Sequence, residues 1–226
     1  MTTIEDIRLY KSSLENVDGN PQPESFADKD LNVIIHRIVM KLRENDFSLG
    51  DFDHLYINFT TCFVENGIAP SKRSKDRYHP WYRYYDVAVS QDLFDMLGAF
   101  QSVQAILELV EKVLQEHFSS QQFSRESIHS CCLEAITQGE DMLMKFKEKK
   151  TAKNSAIIYL RYLDNGCYFP LLRVFDSENN LLLERDLPET RDLNPFGDIQ
   201  LSGKKVTIKP RKNVYAKDLV PMSFEL

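Results

Sequence analysis

Near Asn154 the hydrophobic pattern of this sequence changes period, and the change bounds what the chain can fold into. Before it, the long patterned segments repeat apolar residues every three to four positions, the period of a helix. After it, AIIYLRYL and CYFPLLRVF have the composition of strands and flank Asp164-Asn165-Gly166, a sequence suited to the positive φ values of a tight hairpin turn. LLLERDL follows the turn-forming run Ser177-Glu178-Asn179-Asn180, and IQLSGKKVTIKP reads as a further hairpin around Ser202-Gly203. Pro170 cannot donate to a strand ladder, so its strand is expected to be an edge or to carry a bulge there.

Upstream, residues 1–29 are polar and interrupted by Gly19, Pro21 and Pro23, with Ile4, Ile7 and Tyr10 spaced for a short helix before a loop. Asp30 offers an N-cap for a helix over Asn32 to Asn45, with Leu31, Ile34, Ile35, Ile38 and Leu42 on one stripe. HLYINFTTCF alternates as a strand with one apolar face, and WYRYYDVAVS is a second strand. Leu93, Met96, Leu97, Phe100, Val103, Ile106 and Val110 place one broad helix over Gln91 to Phe118. Ser124, with Phe123 and Ile128 as a hydrophobic staple, starts a second helix that is expected to run to Lys149. The expected fold is therefore α+β, an antiparallel sheet with a long helical hairpin packed on one face. With no Pro-, Gly- or Ser-rich linker between Leu31 and Lys209, residues 1–226 are expected to form a single domain, 1–29 being an N-terminal segment that is partly loop.

The stretch from Lys72 to Ser90, KRSKDRYHPWYRYYDVAVS, concentrates five cations with the chain's one tryptophan and several tyrosines. Its strand pattern sends Trp81, Arg83 and Tyr85 to one side and Tyr82, Tyr84 and Asp86 to the other, the latter set being the exposed one if Val87 and Val89 mark the core. Three uses fit these residues. Lys72, Arg73, Lys75 and Arg77 could contact phosphates or a nucleic-acid backbone, with Trp81, Tyr82 or Tyr84 as stacking platforms, and Arg73, Arg77, His79 and Arg83 could hold a phosphorylated or nucleotide substrate. Trp, Tyr and Arg are also the residue types that dominate protein-binding hot spots. The third use is structural, a solvated loop beside an aromatic half-core. The candidate binding residues are Arg73, Arg77, His79, Tyr82, Arg83 and Tyr84.

Charge and chemistry narrow these choices. A net charge of −6 disfavours nucleic acid and anionic membranes and suits a basic protein partner, although it also serves solubility. The four cysteines show no CxxC pair or metal-ligand spacing, and no glycine-rich phosphate loop is present, so no metal or cofactor is expected. No catalytic residue is assigned. Cys62 and His79 form the best available nucleophile and base, should their strands bring them together, with a buried structural Cys62 as the favoured alternative. The N-terminus lacks the apolar core of a secretory signal and no apolar run reaches membrane-spanning length, which points to the cytoplasm.

The strand HLYINFTTCF, the loop into YHPWYRYYDVAVS and the run YLRYLDNGCYFPLLRVFDSENNLLLERD resemble in style the immunity proteins of bacterial polymorphic and contact-dependent toxin systems. The resemblance covers roughly half of the chain and carries no diagnostic motif. It implies a non-catalytic protein that neutralises a cognate toxin by direct binding, and it transfers no functional residue. The alternative is an enzyme or binding module for a phosphorylated or nucleotide ligand held by residues 72–85.

Overall fold

The computed structural model describes residues 2–226. Mixed and antiparallel sheets are combined with four α-helices, and the contacts cluster into two compact units, Met1–Thr137 and Gln138–Leu226. The boundary falls at the end of a helix, in a stretch without linker composition.

In the first unit the elements run β1 (Thr2–Thr3), β2 (Asp6–Ser12), β3 (Glu24–Ser25), α1 (Lys29–Glu44), β4 (Ser48–Gly50), β5 (His54–Thr60), β6 (Ile68–Pro70), β7 (Tyr82–Ala88), α2 (Gln91–Met96), α3 (Val103–Phe118) and α4 (Arg125–Gln138). The main sheet has the order β3-β2-β5-β7-β6. Its three central strands are parallel, with Asp6 opposite His54 and His54 opposite Tyr82, while β3 and β6 pair antiparallel at the edges. The expectation of an antiparallel sheet therefore fails here: side-chain alternation reports which face a residue occupies and carries nothing about strand direction. Parallel pairing also explains why β5 is buried almost throughout, since a central parallel strand is covered on both faces.

The amino-terminal segment corrects another expectation. Ile7 and Leu9 are buried two residues apart, a strand period, and β2 replaces the expected short helix. α1 starts three residues before its expected span, and Asp28 caps it in place of the expected Asp30, its side chain accepting from the Leu31 amide at 2.9 Å while Asp30 lies in the first turn. The single helix expected over Gln91 to Phe118 is broken: α2 starts at the Ser90 cap and ends before Gly98, which has φ +92° and lies against the Phe26 carbonyl, and a short 3-10 turn leads into α3. Leu114 and Val110 of α3 and Ile128 and Cys132 of α4 are buried, and His129 of α4 meets Glu111 of α3 at 2.8 Å. Phe118, at the end of α3, packs edge-on against Tyr85 of β7, which marks that face of the sheet as the helix-covered one.

The second unit comprises β8 (Met144–Lys150), β9 (Asn154–Tyr162), β10 (Tyr168–Asp176), β11 (Leu181–Asp186), β12 (Asp198–Leu201), β13 (Lys205–Lys209) and β14 (Met222–Glu225). Two antiparallel sheets result, β11-β10-β9-β8 and β12-β13-β14. The hairpins expected around Asp164-Asn165-Gly166 and Ser202-Gly203 are present, although only Gly166 of the first turn takes positive φ, +85°. α4 stops at Gln138, short of the expected Lys149. Gly139 takes φ +53°, and Met144 to Lys150 pairs with β9 as a lysine-rich edge strand. Pro170 sits in a central strand, not at an edge; its carbonyl accepts from the Leu187 amide at 2.9 Å, one residue beyond β11, and the return bond that proline cannot donate falls where that pairing ends.

Candidate functional site

The loop between β6 and β7 is pinned along most of its length. Arg73 donates through Nε to Asn16 Oδ1 at 2.7 Å and through Nη2 to the carbonyls of Asn20 and Pro21 at 3.1 and 2.9 Å. The Ser74 amide donates to Asp18 at 3.0 Å, and Lys75 pairs with Asp51 at 3.1 Å. Asp76 accepts from the amides of Tyr78 and His79 at 2.8 and 3.1 Å and from the Tyr82 hydroxyl at 3.2 Å. These donors hold the Asp76 carboxyl below its ordinary pKa, the Tyr78 amide contributing most. The Ser74 hydroxyl and amide do the same for Asp18, and Lys75 for Asp51. The bonds turn the loop outward: Tyr78 is 88% exposed and Trp81 42%, with the His79 ring edge-on to Trp81 at 4.8 Å between centroids.

Behind the loop, the face of the sheet away from the helices is paved with tyrosines. Tyr82 stacks on Tyr56 with centroids 4.5 Å apart and planes at 10°, while Tyr84 stands edge-on to Tyr56, Tyr10 and Tyr82. Their alignment follows from the parallel register, which sets Tyr56 beside Tyr84. Burial raises the pKa of Tyr56, Tyr82 and especially Tyr84, so all three stay neutral donors at physiological pH. The Tyr84 hydroxyl donates to Gln22 Oε1 at 3.3 Å. Tyr82 and Tyr84 are thus half-buried members of an aromatic layer, and Asp86, on the same face, accepts from Asn16 at 3.0 Å and from Asn58 at 2.8 Å instead of standing exposed.

The other expected residues divide. Arg83 lies on the helix side, where its guanidinium donates to the Pro80 and Tyr82 carbonyls at 2.8 and 2.7 Å, approaches Asp51 at 3.3 Å and sits over the Phe52 ring. Arg73 and Arg83 are therefore structural donors. His79 reaches Asp76 at 3.3 Å, and Arg77 is exposed with no hydrogen bond or ion pair to the described residues. Cys62 follows the end of β5 and His79 precedes the start of β7, so the parallel pairing holds them at opposite ends of the sheet and they make no catalytic pair. Among the described residues no group of three His, Cys, Asp or Glu side chains is placed to hold a metal ion.

Asn16, Asp18 and Asp51, which shape the loop together with Asp76, carry no pattern of their own in the sequence. Asp76 two positions before Tyr78 was the one local signal, a side chain able to cap the amides that follow it. Among the described residues no helix is long and apolar enough to cross a membrane. No known protein family, no curated protein and no solved structure matches this chain.

Proposed function

We propose that this chain is a non-catalytic binding protein of the bacterial cytoplasm that neutralises a protein toxin by covering it, with the loop of residues 72–81 as the contact. The observation that carries this reading is the exposure of Tyr78, Trp81 and Arg77 on a loop in which Arg73, Ser74, Lys75 and Asp76 are committed to internal bonds. A pinned loop loses little conformational freedom on binding, and Trp, Tyr and Arg are the side chains that contribute most when desolvated. Net charge of −6 favours a basic partner. A phosphate-binding use has less support, because the Arg73 and Arg83 guanidinium groups already face carbonyls, an amide and a carboxylate.

We further propose that α3 and α4 form a hairpin backing the sheet, supported by the Glu111–His129 bond and the Phe118–Tyr85 contact. That arrangement would leave the tyrosine face and its loop to the partner. The test is co-expression with the product of the neighbouring gene. Growth arrest by that product should be relieved by the wild-type chain and not by a folded Tyr78→Ala, Trp81→Ala double variant. Full protection by the double variant would remove the loop from the interface, and failure of the wild-type chain to protect or bind would overturn the immunity role.

A further inference from the structure

The C-terminal ends of β2, β5 and β7 open on a cleft of about 470 Å³, at the far end of the sheet from Trp81. That is enough space for a small ligand, and the carboxyl ends of parallel strands are where open sheets commonly present one. Val17, Val64, Ala69 and Pro70 give the cleft an apolar wall, and the ring of Phe63 stands at its mouth, 88% exposed. Asp86 is the one half-buried charge that lines it.

The carboxylate of Asp86 is asymmetrically used. Both amide donors, Asn16 Nδ2 and Asn58 Nδ2, go to Oδ1, and Oδ2 keeps some surface and makes no hydrogen bond with the described residues. The amides are not free to swing across to it, because Asn16 is 3% exposed and held by Arg73, and Asn58 is fully buried. Asn58 itself lies behind the lining, fully buried, so Oδ2 of Asp86 is the acceptor that the cleft offers. Around the rim stand Glu15 and Glu65 against one cation, Lys72. Three carboxylates, one with an unpaired oxygen, face Lys72 here, while Arg73 acts on Asp86 from behind with its guanidinium committed to Asn16, Asn20 and Pro21; such a site disfavours anions and leaves neutral acceptors without a bond. What it lacks is a positively charged donor with an apolar stem.

We propose that this cleft binds a small organic cation, a primary amine or a guanidinium on a short aliphatic chain, with its charged end on Oδ2 of Asp86 and its stem along Val17, Val64 and Pro70. A charge-assisted bond would complete a carboxylate that the fold orients but does not neutralise. Burial holds the Asp86 carboxyl above its ordinary pKa against the Asn58 and Asn16 bonds and the charges of Arg73 and Lys72, and a bound cation would lower it.

The test uses the whole chain titrated with agmatine and, separately, n-butylamine, while the side-chain amide signals of Asn16 and Asn58 are followed by nuclear magnetic resonance. Saturable movement of both signals is expected at pH 7, weakening by about tenfold or more in Asp86→Asn, which keeps the acceptor for both amides. Lys72→Glu, an exposed change at a side chain with no hydrogen bond or ion pair to the described residues, should tighten binding by about threefold. Butyrate should move neither signal. Absence of saturation by either amine, equal binding by Asp86→Asn, or weaker binding by Lys72→Glu would overturn the proposal. The titration needs no protein partner, so its failure would leave the role of the Trp81 loop untouched.

Discussion

Arg73 and Asp86 are joined through a neutral side chain: Asn16 accepts from Arg73 at 2.7 Å on its oxygen and donates to Asp86 at 3.0 Å from its nitrogen. The amide passes the polarisation of one charge to the other, and it ties the β6–β7 loop, the segment after β2 and the β7 strand at one point. Loosening any one of the three should be felt in the others.

Arg73→Ala tests this directly. It removes three hydrogen bonds and leaves the nearly buried Asn16 oxygen without a donor, which should lower stability by about 1–3 kcal/mol in urea denaturation. Proteolytic nicking between Lys72 and Trp81 should rise at the same time. A variant that loses neither stability nor loop resistance would show that the Asp18 and Asp51 contacts suffice.

Asp86→Asn should raise stability at neutral pH. The folded state lifts the pKa of this carboxyl through burial, so ionising it costs more in the fold than in the unfolded chain. The penalty is absent below the unfolded value near pH 4 and grows until pH passes the folded value. The variant and the wild type should therefore have equal urea midpoints near pH 3 and diverge above pH 5, the gain staying below about 1 kcal/mol because Oδ2 meets solvent. Lys72 and Arg73 act in the opposite direction, and a midpoint that falls at pH 7 would mean that their attraction wins.

His36 should make the fold sensitive to acid. It is enclosed on most sides, and burial pulls its pKa down to about 4, with Arg43 and Arg37 adding to the effect and Asp6 opposing it. A histidine with a depressed folded pKa contributes stability above the unfolded value near 6.5, lost as pH falls toward 4. The loss should reach up to about 3 kcal/mol, and His36→Gln should flatten the slope of thermal stability between pH 6.5 and 4. An unchanged slope would place the acid sensitivity elsewhere.

Gly197→Ala should damage the second unit. The amide of Gly197 donates to the Lys209 carbonyl at 2.7 Å, and an added Cβ would collide with the backbone of Pro210 and Arg211, which cannot rotate away as a side chain can. A cost of about 1–3 kcal/mol is expected, read as a lower midpoint with loss of amide protection in β12 and β13. A neutral outcome would show that the Asn194–Arg211 turn moves freely.

What could be read in the sequence was face and period. α1, the start of α2, the β9–β10 hairpin and the strand character of β5 all follow from spacing, caps and turn residues. Strand direction could not be read, because Tyr56 beside Tyr84 and Tyr56 beside some other tyrosine look alike in one dimension. The end of α4 was within reach: Gly139 marks a helix stop, but Met142, Leu143 and Phe146 continue a plausible helical stripe and masked it. At the candidate site the stretch stands out as rich in binding-type residues, but alternation points to Tyr82, Tyr84 and Asp86 as the exposed set, whereas Tyr78 and Trp81, on the loop before the strand, are the exposed aromatics. Arg73 and Arg83 look the same as Arg77 by composition, and only their partners, distant in sequence, separate anchors from contacts.

The parallel pairing of β2 with β5 sets an order of events for the nascent chain. Asp6 meets His54 only after the whole of α1 has been made and folded back, whereas Tyr162 and Tyr168 close a hairpin across a five-residue turn. The longer closure is entropically dearer by about 2 kcal/mol before any contact rewards it. Strand pairing in the second unit is therefore local and fast, and the sheet that carries Trp81 waits on distant partners. During that wait β2 and β5 expose unpaired edges, so the interval in which the first unit is still assembling is when this protein is most open to capture by a chaperone or to aggregation.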